Sequence, residues 1–201
     1  DSEVARLLTR YPIKSEVVIG HVRQANVGTV CLANTHPFSR ELWGRNWCFA
    51  HNGQLSDFTP LGSFYQPVGD TDSEAAFCDL LNRVRAAFAE PVAWGQLLPV
   101  LVEAASHYRR HGVFNCLLSD GDWLFTCCTS KLAWITRRAP FGPACLRDVD
   151  VSVDFGSETT PDDVVTVIAT EALTSNERWQ CYQPGEWRLW QRGECLATGQ
   201  L

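Results

Sequence analysis

Short stretches in the first third of the chain combine β-forming residues with Gly, Asn or Pro at their ends. They predict a strand over EVVIGHVR (16–23), a return over Thr29–Leu32 and a third strand over NWCFAH (46–51). The pattern then changes period. Thr71-Asp72-Ser73-Glu74 has the form of a capping box, in which Thr71 caps a helix and Glu74 reaches back to it. Phe77, Leu80, Leu81, Val84 and Phe88 follow at helical spacing and give that helix one apolar face. A second helix is expected from about Trp94 to Arg110, with Pro99 near its first turn or kinking it, and Gly112 as a stop.

Beyond Gly112 the period returns to two. VFNCLLSD and WLFTCCTS flank Asp120-Gly121-Asp122 as a hairpin, LAWITRR follows, and VVTVIAT (164–170) reads as a buried strand. EWRLWQ and ECLA flank Arg192-Gly193 as a last hairpin. The order of strands, two helices, then strands disfavours a doubly wound parallel sheet, which would alternate strand and helix, and favours an α+β layered sandwich. No internal repeat or linker interrupts it, so a single domain over residues 1–201 is expected.

Composition narrows the partners. With 201 residues, 45% of them hydrophobic, the chain can bury a core without metal or disulfide staples. A net charge of -6 and the lack of any long basic run argue against nucleic acid. No apolar stretch approaches the roughly 18–20 residues that span a bilayer, and DSEVARLLTRYPIK lacks the order of a secretory signal. No membrane association and a cytoplasmic location are therefore expected. The nine cysteines are odd in number and mostly isolated, which fits reduced thiols better than disulfides or a metal site. No methionine occurs, the initiator included, so further residues are expected ahead of Asp1.

Three places carry candidate chemistry. In HNG (51–53), the Asn52 side-chain amide and the Gly53 N–H could point at one spot and form a pair of oxyanion donors, although a plain Asn-Gly turn uses the same residues. Arg23 ends an apolar strand, where its planar fork suits a carboxylate; a surface arginine is the plainer explanation. Asp72 opens the first helix, where a carboxylate also favours the helix dipole without any ligand. An anion binder, a cation binder and an oxyanion hole are together what an amino acid with a reactive side-chain amide requires.

The strings GHVRQANVG (20–28), NTHPF (34–38), WCFAHNGQL (47–55) and GDTDSE (69–74) resemble, in order, the motifs of the class II, N-terminal-nucleophile glutamine amidotransferases. WGRNW (43–47), FNCLLSDG (114–121), WITRRAPFG (134–142), DDVVTVIAT (162–170) and PGEWRLW (184–190) are similar to its stand-alone bacterial branch, called YafJ-type. The resemblance runs from about residue 10 to residue 190.

It implies a four-layer αββα sandwich and a cofactor-free reaction on glutamine. By the same resemblance Arg23 clamps the α-carboxylate, Asp72 takes the α-ammonium, and Asn52 with the Gly53 N–H holds the tetrahedral oxyanion. Asn26 stands where the family usually has Thr, which leaves a polar substrate contact. His21, His36 and His51 lie inside the motifs, but in this family the base is the α-amino group of the nucleophile, so structural roles are expected for them. That nucleophile is an N-terminal cysteine, whereas the first residue here is Asp1, so the nucleophile and its opening strands are expected upstream of this chain. Two other readings stay open: a hydrolase of other γ-glutamyl amides or peptides, and a non-catalytic γ-glutamyl-binding module. An amidotransferase without a synthase domain also calls for an ammonia-accepting synthase subunit as partner. For Arg137-Arg138 and the Trp43–Trp47 segment the alternatives are a lid or second-substrate contact, or a solvated pair and a packed loop.

Overall fold

The computed structural model describes residues 15–22, 30–148, 151–156 and 159–201. Arg23, Asn26 and Thr29 lie outside the described residues; the rest of the expected return is not a strand, since Val30 and Cys31 are irregular and Leu32 opens a short 3-10 turn, Leu32–Asn34.

The capping signal at Thr71 forms the helix start it predicts. Thr71 Oγ1 accepts the Glu74 N–H at 3.2 Å, and α1 runs Asp72–Ala87. The other half of the box is not made. The Glu74 carboxylate accepts from Val68 N (3.0 Å), Gly69 N (2.7 Å) and Arg40 instead of the Thr71 N–H, so it folds the preceding loop rather than closing on the helix. Phe88 ends the helix as its C-cap and does not belong to it. The second helix, α2, spans Trp94–Tyr108 and holds Pro99 inside its second turn.

Six strands form one antiparallel sheet in the order β1-β2-β3-β4-β10-β11: Phe38–Leu42, Arg45–Leu55, Gly112–Ser119, Leu124–Cys127, Glu186–Gln191 and Glu194–Gln200. The two hairpins expected after Gly112 are both present. A third, β1-β2, was not expected; it turns at Trp43-Gly44, where both residues have positive φ (58° and 75°), the backbone of a type I′ turn. Trp43 gives no turn signal by its residue type. Strand β2 is also longer than expected and carries HNG in its interior instead of after its end.

Period-two alternation assigns the two faces of this sheet. Phe49, Phe114, Cys116, Leu118, Phe125 and Leu189 face α1 and α2 and pack with Phe77, Leu81, Leu101 and Tyr108 in the main core. Each large side chain fully buried there contributes about 1.5–3 kcal/mol. Phe49 and Phe77 stack with ring centroids 5.2 Å apart. On the opposite face Trp190 packs with Trp134 and Ile168 of a second sheet, ordered β8-β5-β9 (Val164–Ala169, Ala133–Arg138 and Gln180–Cys181), and with Leu132 and Tyr182 at its strand ends. β8 is half-exposed, not the buried strand its apolar run suggested; Val165 is 43% exposed. A two-stranded ribbon, β6-β7 (Pro143–Cys145 and Ser152–Asp154), completes the described strands. The architecture is α+β, with helices on one face of the large sheet and a smaller sheet on the other. Residues 16–22, expected as a strand, carry no strand, since among the described residues no backbone pairs with them.

Candidate functional site

Strand β2 builds the site through the alternation of its backbone. Ser56 N–H donates to His111 O at 2.8 Å, one step past the paired residues Leu55 and Gly112. In an antiparallel ladder, directly opposed residues either exchange both bonds or turn both groups outward, and the two kinds alternate. Counting back from Ser56, Gln54 and Asn52 face β3, while Leu55 and Gly53 turn their N–H groups to the other edge. Two contacts agree. Leu55 N donates outward to Asp72 Oδ2 at 2.6 Å, and Phe114, the partner of Gly53, donates away from β2 to Thr129 Oγ1 at 2.7 Å. β1 pairs with β2 only as far as Phe49, and among the described residues no strand pairs with that edge beyond it. The Gly53 N–H therefore faces a strand edge that no described strand covers, about 7 Å along from the Leu55 N–H that Asp72 holds.

Gly53 is a glycine because of its neighbour across the ladder. A Cβ there would lie 1.9 Å from the Val113 carbonyl oxygen. The plain Asn-Gly turn is thereby ruled out as the reason for this pair. Asn52 alternates to the face away from the helices, where its Nδ2 donates to Thr170 Oγ1 at 3.0 Å just past the end of β8. Its own carbonyl accepts from Asn115 Nδ2 at 2.9 Å. Asn115 is buried, and its Oδ1 also accepts the N–H groups of Thr129, Ser130 and Lys131.

The string GDTDSE divides its work. Glu74 and Thr71 build the loop and cap, Ser73 binds His51, and Asp72 alone reaches the strand edge. Asp70 is tied to Asn34 of NTHPF, which donates Nδ2 to Asp70 Oδ1 at 2.6 Å and accepts the Asp70 N–H. His51 is buried with Nδ1 2.8 Å from Ser73 Oγ and Nε2 3.0 Å from Val113 O. A carbonyl accepts only, so Nε2 carries the proton and Nδ1 accepts from Ser73. Burial lowers the pKa of this imidazole, with the Val113 carbonyl and the Asp72 charge opposing. Both nitrogens are engaged within the fold, as expected of a structural histidine. His36 is buried too, stacked 4.4 Å from His21 and 4.5 Å from Phe38.

The remaining candidates are ion pairs and packing. Arg137 makes a two-pronged pair with Glu177, and Arg138 pairs with Glu194 at 2.6 and 2.7 Å. Trp43 and Trp47 pack edge to face at 6.3 Å about the β1-β2 hairpin, and Trp47 in turn meets Trp123 at 5.4 Å. A groove of about 640 Å³ runs along β8 between Val17, Ile19, Val165, Val167 and Trp190, and Asn52, Gly53 and Asp72 do not line it. The structure thus brings Asn52, Gly53 and Asp72 to one strand segment and adds Thr170 and Asn115, which the sequence reading missed. All nine cysteines are free thiols, and among the described residues no three His, Cys, Asp or Glu side chains cluster as a metal site.

The family model of the class II glutamine amidotransferases matches residues 1–201. The chain is 54% identical over 197 residues to YafJ of Escherichia coli strain K12, whose name is that of a glutamine amidotransferase; the match covers 96% of this chain and 77% of that one. It is similar to the crystal structure of a predicted glutamine amidotransferase from Pseudomonas aeruginosa PA01, with a TM-score of 0.81, 71% identity, and coverage of 88% of this chain and 70% of that one. The glutamine phosphoribosylpyrophosphate amidotransferase of B. subtilis shares the fold at 15% identity and a TM-score of 0.54, over 90% of this chain and 34% of that one.

Proposed function

We propose that this chain, which belongs to the class II glutamine amidotransferases, forms the glutamine pocket of a cysteine-dependent amidohydrolase. The observation that carries the reading is the shared strand edge: a carboxylate, Asp72, and an outward backbone N–H, Gly53, lie off the same side of β2, with the Asn52 carboxamide beside them. A linear amino acid with an ammonium at one end and an amide at the other spans such a pair. Asp72 takes the α-ammonium, Arg23 the α-carboxylate, and Asn26 adds a polar contact. The Gly53 N–H and the Asn52 Nδ2 stabilise the oxyanion.

The reaction follows from that placement. The thiolate of the N-terminal cysteine that the family resemblance implies attacks the side-chain carbonyl carbon, and negative charge develops on its oxygen. Collapse of the tetrahedral species expels ammonia and leaves a γ-glutamyl thioester, which water converts to glutamate. Ammonia passes to a synthase partner or, in glutaminase turnover, to solvent. The same reading takes residues 1–201 as a single domain of a four-layer αββα sandwich acting in the cytoplasm.

Calorimetry and steady-state hydrolysis on the full-length protein separate the roles. Arg23→Ala abolishes glutamine binding, while Asn52→Ala spares binding and lowers kcat roughly a hundredfold. Equal losses of binding and turnover in Asn52→Ala would contradict the oxyanion role. Turnover of γ-glutamyl dipeptides in preference to glutamine would move the substrate to another γ-glutamyl compound.

A further inference from the structure

We propose that Thr170 is a positioning residue for the Asn52 carboxamide, an inference that rests on the oxyanion role of Asn52. Asn52 is exposed on its strand. An exposed amide turns freely about its last torsion, so its N–H donors point in no fixed direction. An oxyanion donor must be held before charge develops, because an acceptor in that place repels the oxyanion. The carboxamide is held from Thr170, whose Oγ1 takes one Nδ2 hydrogen at 3.0 Å and leaves the other for a ligand.

Thr170 is suited to this by its own surroundings. It is β-branched, so its hydroxyl has few rotamers, and it directly follows the last residue of β8. On one side Glu171 pairs with Lys131, in the 129–131 loop that Asn115 pins to the Asn52 carbonyl. On the other side the next loop is stapled. Thr174 Oγ1 donates to Glu177 Oε2 at 2.6 Å, Trp179 Nε1 donates to Thr174 Oγ1 at 2.8 Å, and Glu177 is gripped by Arg137. Thr170 follows a strand of the second sheet and Asn52 lies in the first, so the carboxamide is held from across the sandwich.

The test measures glutamine hydrolysis by the full-length enzyme for Thr170→Val, Thr170→Ser, Asn52→Ala and the double variant Asn52→Ala/Thr170→Val. Thr170→Val removes the hydroxyl at nearly constant volume. The expected result is a kcat about tenfold lower with KM within about twofold, near-complete rescue in Thr170→Ser, and no further loss from Thr170→Val once Asn52 is alanine. Unchanged kcat in Thr170→Val, a rise in KM alone, failure of Thr170→Ser to rescue, or the same tenfold loss in the Asn52→Ala background overturns the inference. A slow Asn52→Ala beside a fast Thr170→Val overturns it alone. Wild-type turnover in Asn52→Ala removes the reading of Asn52 and this inference with it.

Discussion

Replacing Gly53 by alanine places a methyl carbon inside the Val113 carbonyl group. The added Cβ would lie 1.9 Å from Val113 O, 2.6 Å from Val113 C and 2.8 Å from His51 Nε2. Contacts between non-bonded heavy atoms settle at about 3.5 Å, so something must retreat by more than an ångström. A flexible side chain could swing aside, but Val113 is backbone in a ladder paired at every position from Cys48 to Leu55. Overpacking of this kind costs about 1–3 kcal/mol. Moving Val113 also breaks its bond to buried His51 Nε2 and leaves that N–H unsatisfied, a further cost of about 1–3 kcal/mol. The expected loss is about 2–6 kcal/mol, a large share of the ~5–15 kcal/mol that holds a domain together. Urea unfolding followed by tryptophan fluorescence reads it: with m of about 2 kcal/mol/M, Cm falls by about 1–3 M at constant m. A fall under about 0.5 M would refute the close approach as the reason for the glycine. Alanine keeps the backbone N–H, so any loss of turnover in this variant should follow the loss of folded protein and does not test the oxyanion donor.

Two further predictions concern titratable and buried polar groups. Burial lowers the pKa of His51, so the folded state binds fewer protons than the unfolded chain and stability falls as pH drops below about 6.5, by at most about 1.4 kcal/mol per unit, until the folded value is passed. His107 is shifted in the same direction, so the His51 share is the difference in slope between wild type and His51→Asn; identical slopes would sink the assignment. Tyr108→Phe removes a 2.6 Å hydroxyl bond to the fully buried Asp79 carboxylate, which also accepts from Leu61 N and Arg83 Nε. A bond to a charged group is worth about 1.5–3 kcal/mol, and urea unfolding within about 0.5 kcal/mol of wild type would show that water replaces it.

What the sequence determined by itself were features with local causes. The start of α1 was legible because Thr71 and Glu74 are three residues apart, and the β3-β4 and β10-β11 hairpins because their turns sit between alternating runs. The ordered motifs likewise identified the family, and with it the residues to examine. Tertiary structure decided what depends on a distant neighbour. HNG looked like a turn after a strand, yet it lies within β2, and Gly53 is required by a carbonyl sixty residues on, at Val113. The start of β1-β2 was hidden because Trp43 carries no turn signal of its own, and among the described residues no strand pairs with 16–22 to turn a β-prone run into a strand. Asp72 carried a local reason, the helix dipole, but only the fold shows that it reaches the same edge of β2 that Gly53 faces. Thr170 stands 118 residues from Asn52, and their contact is set by the packing of one sheet on another, which no spacing along the chain encodes.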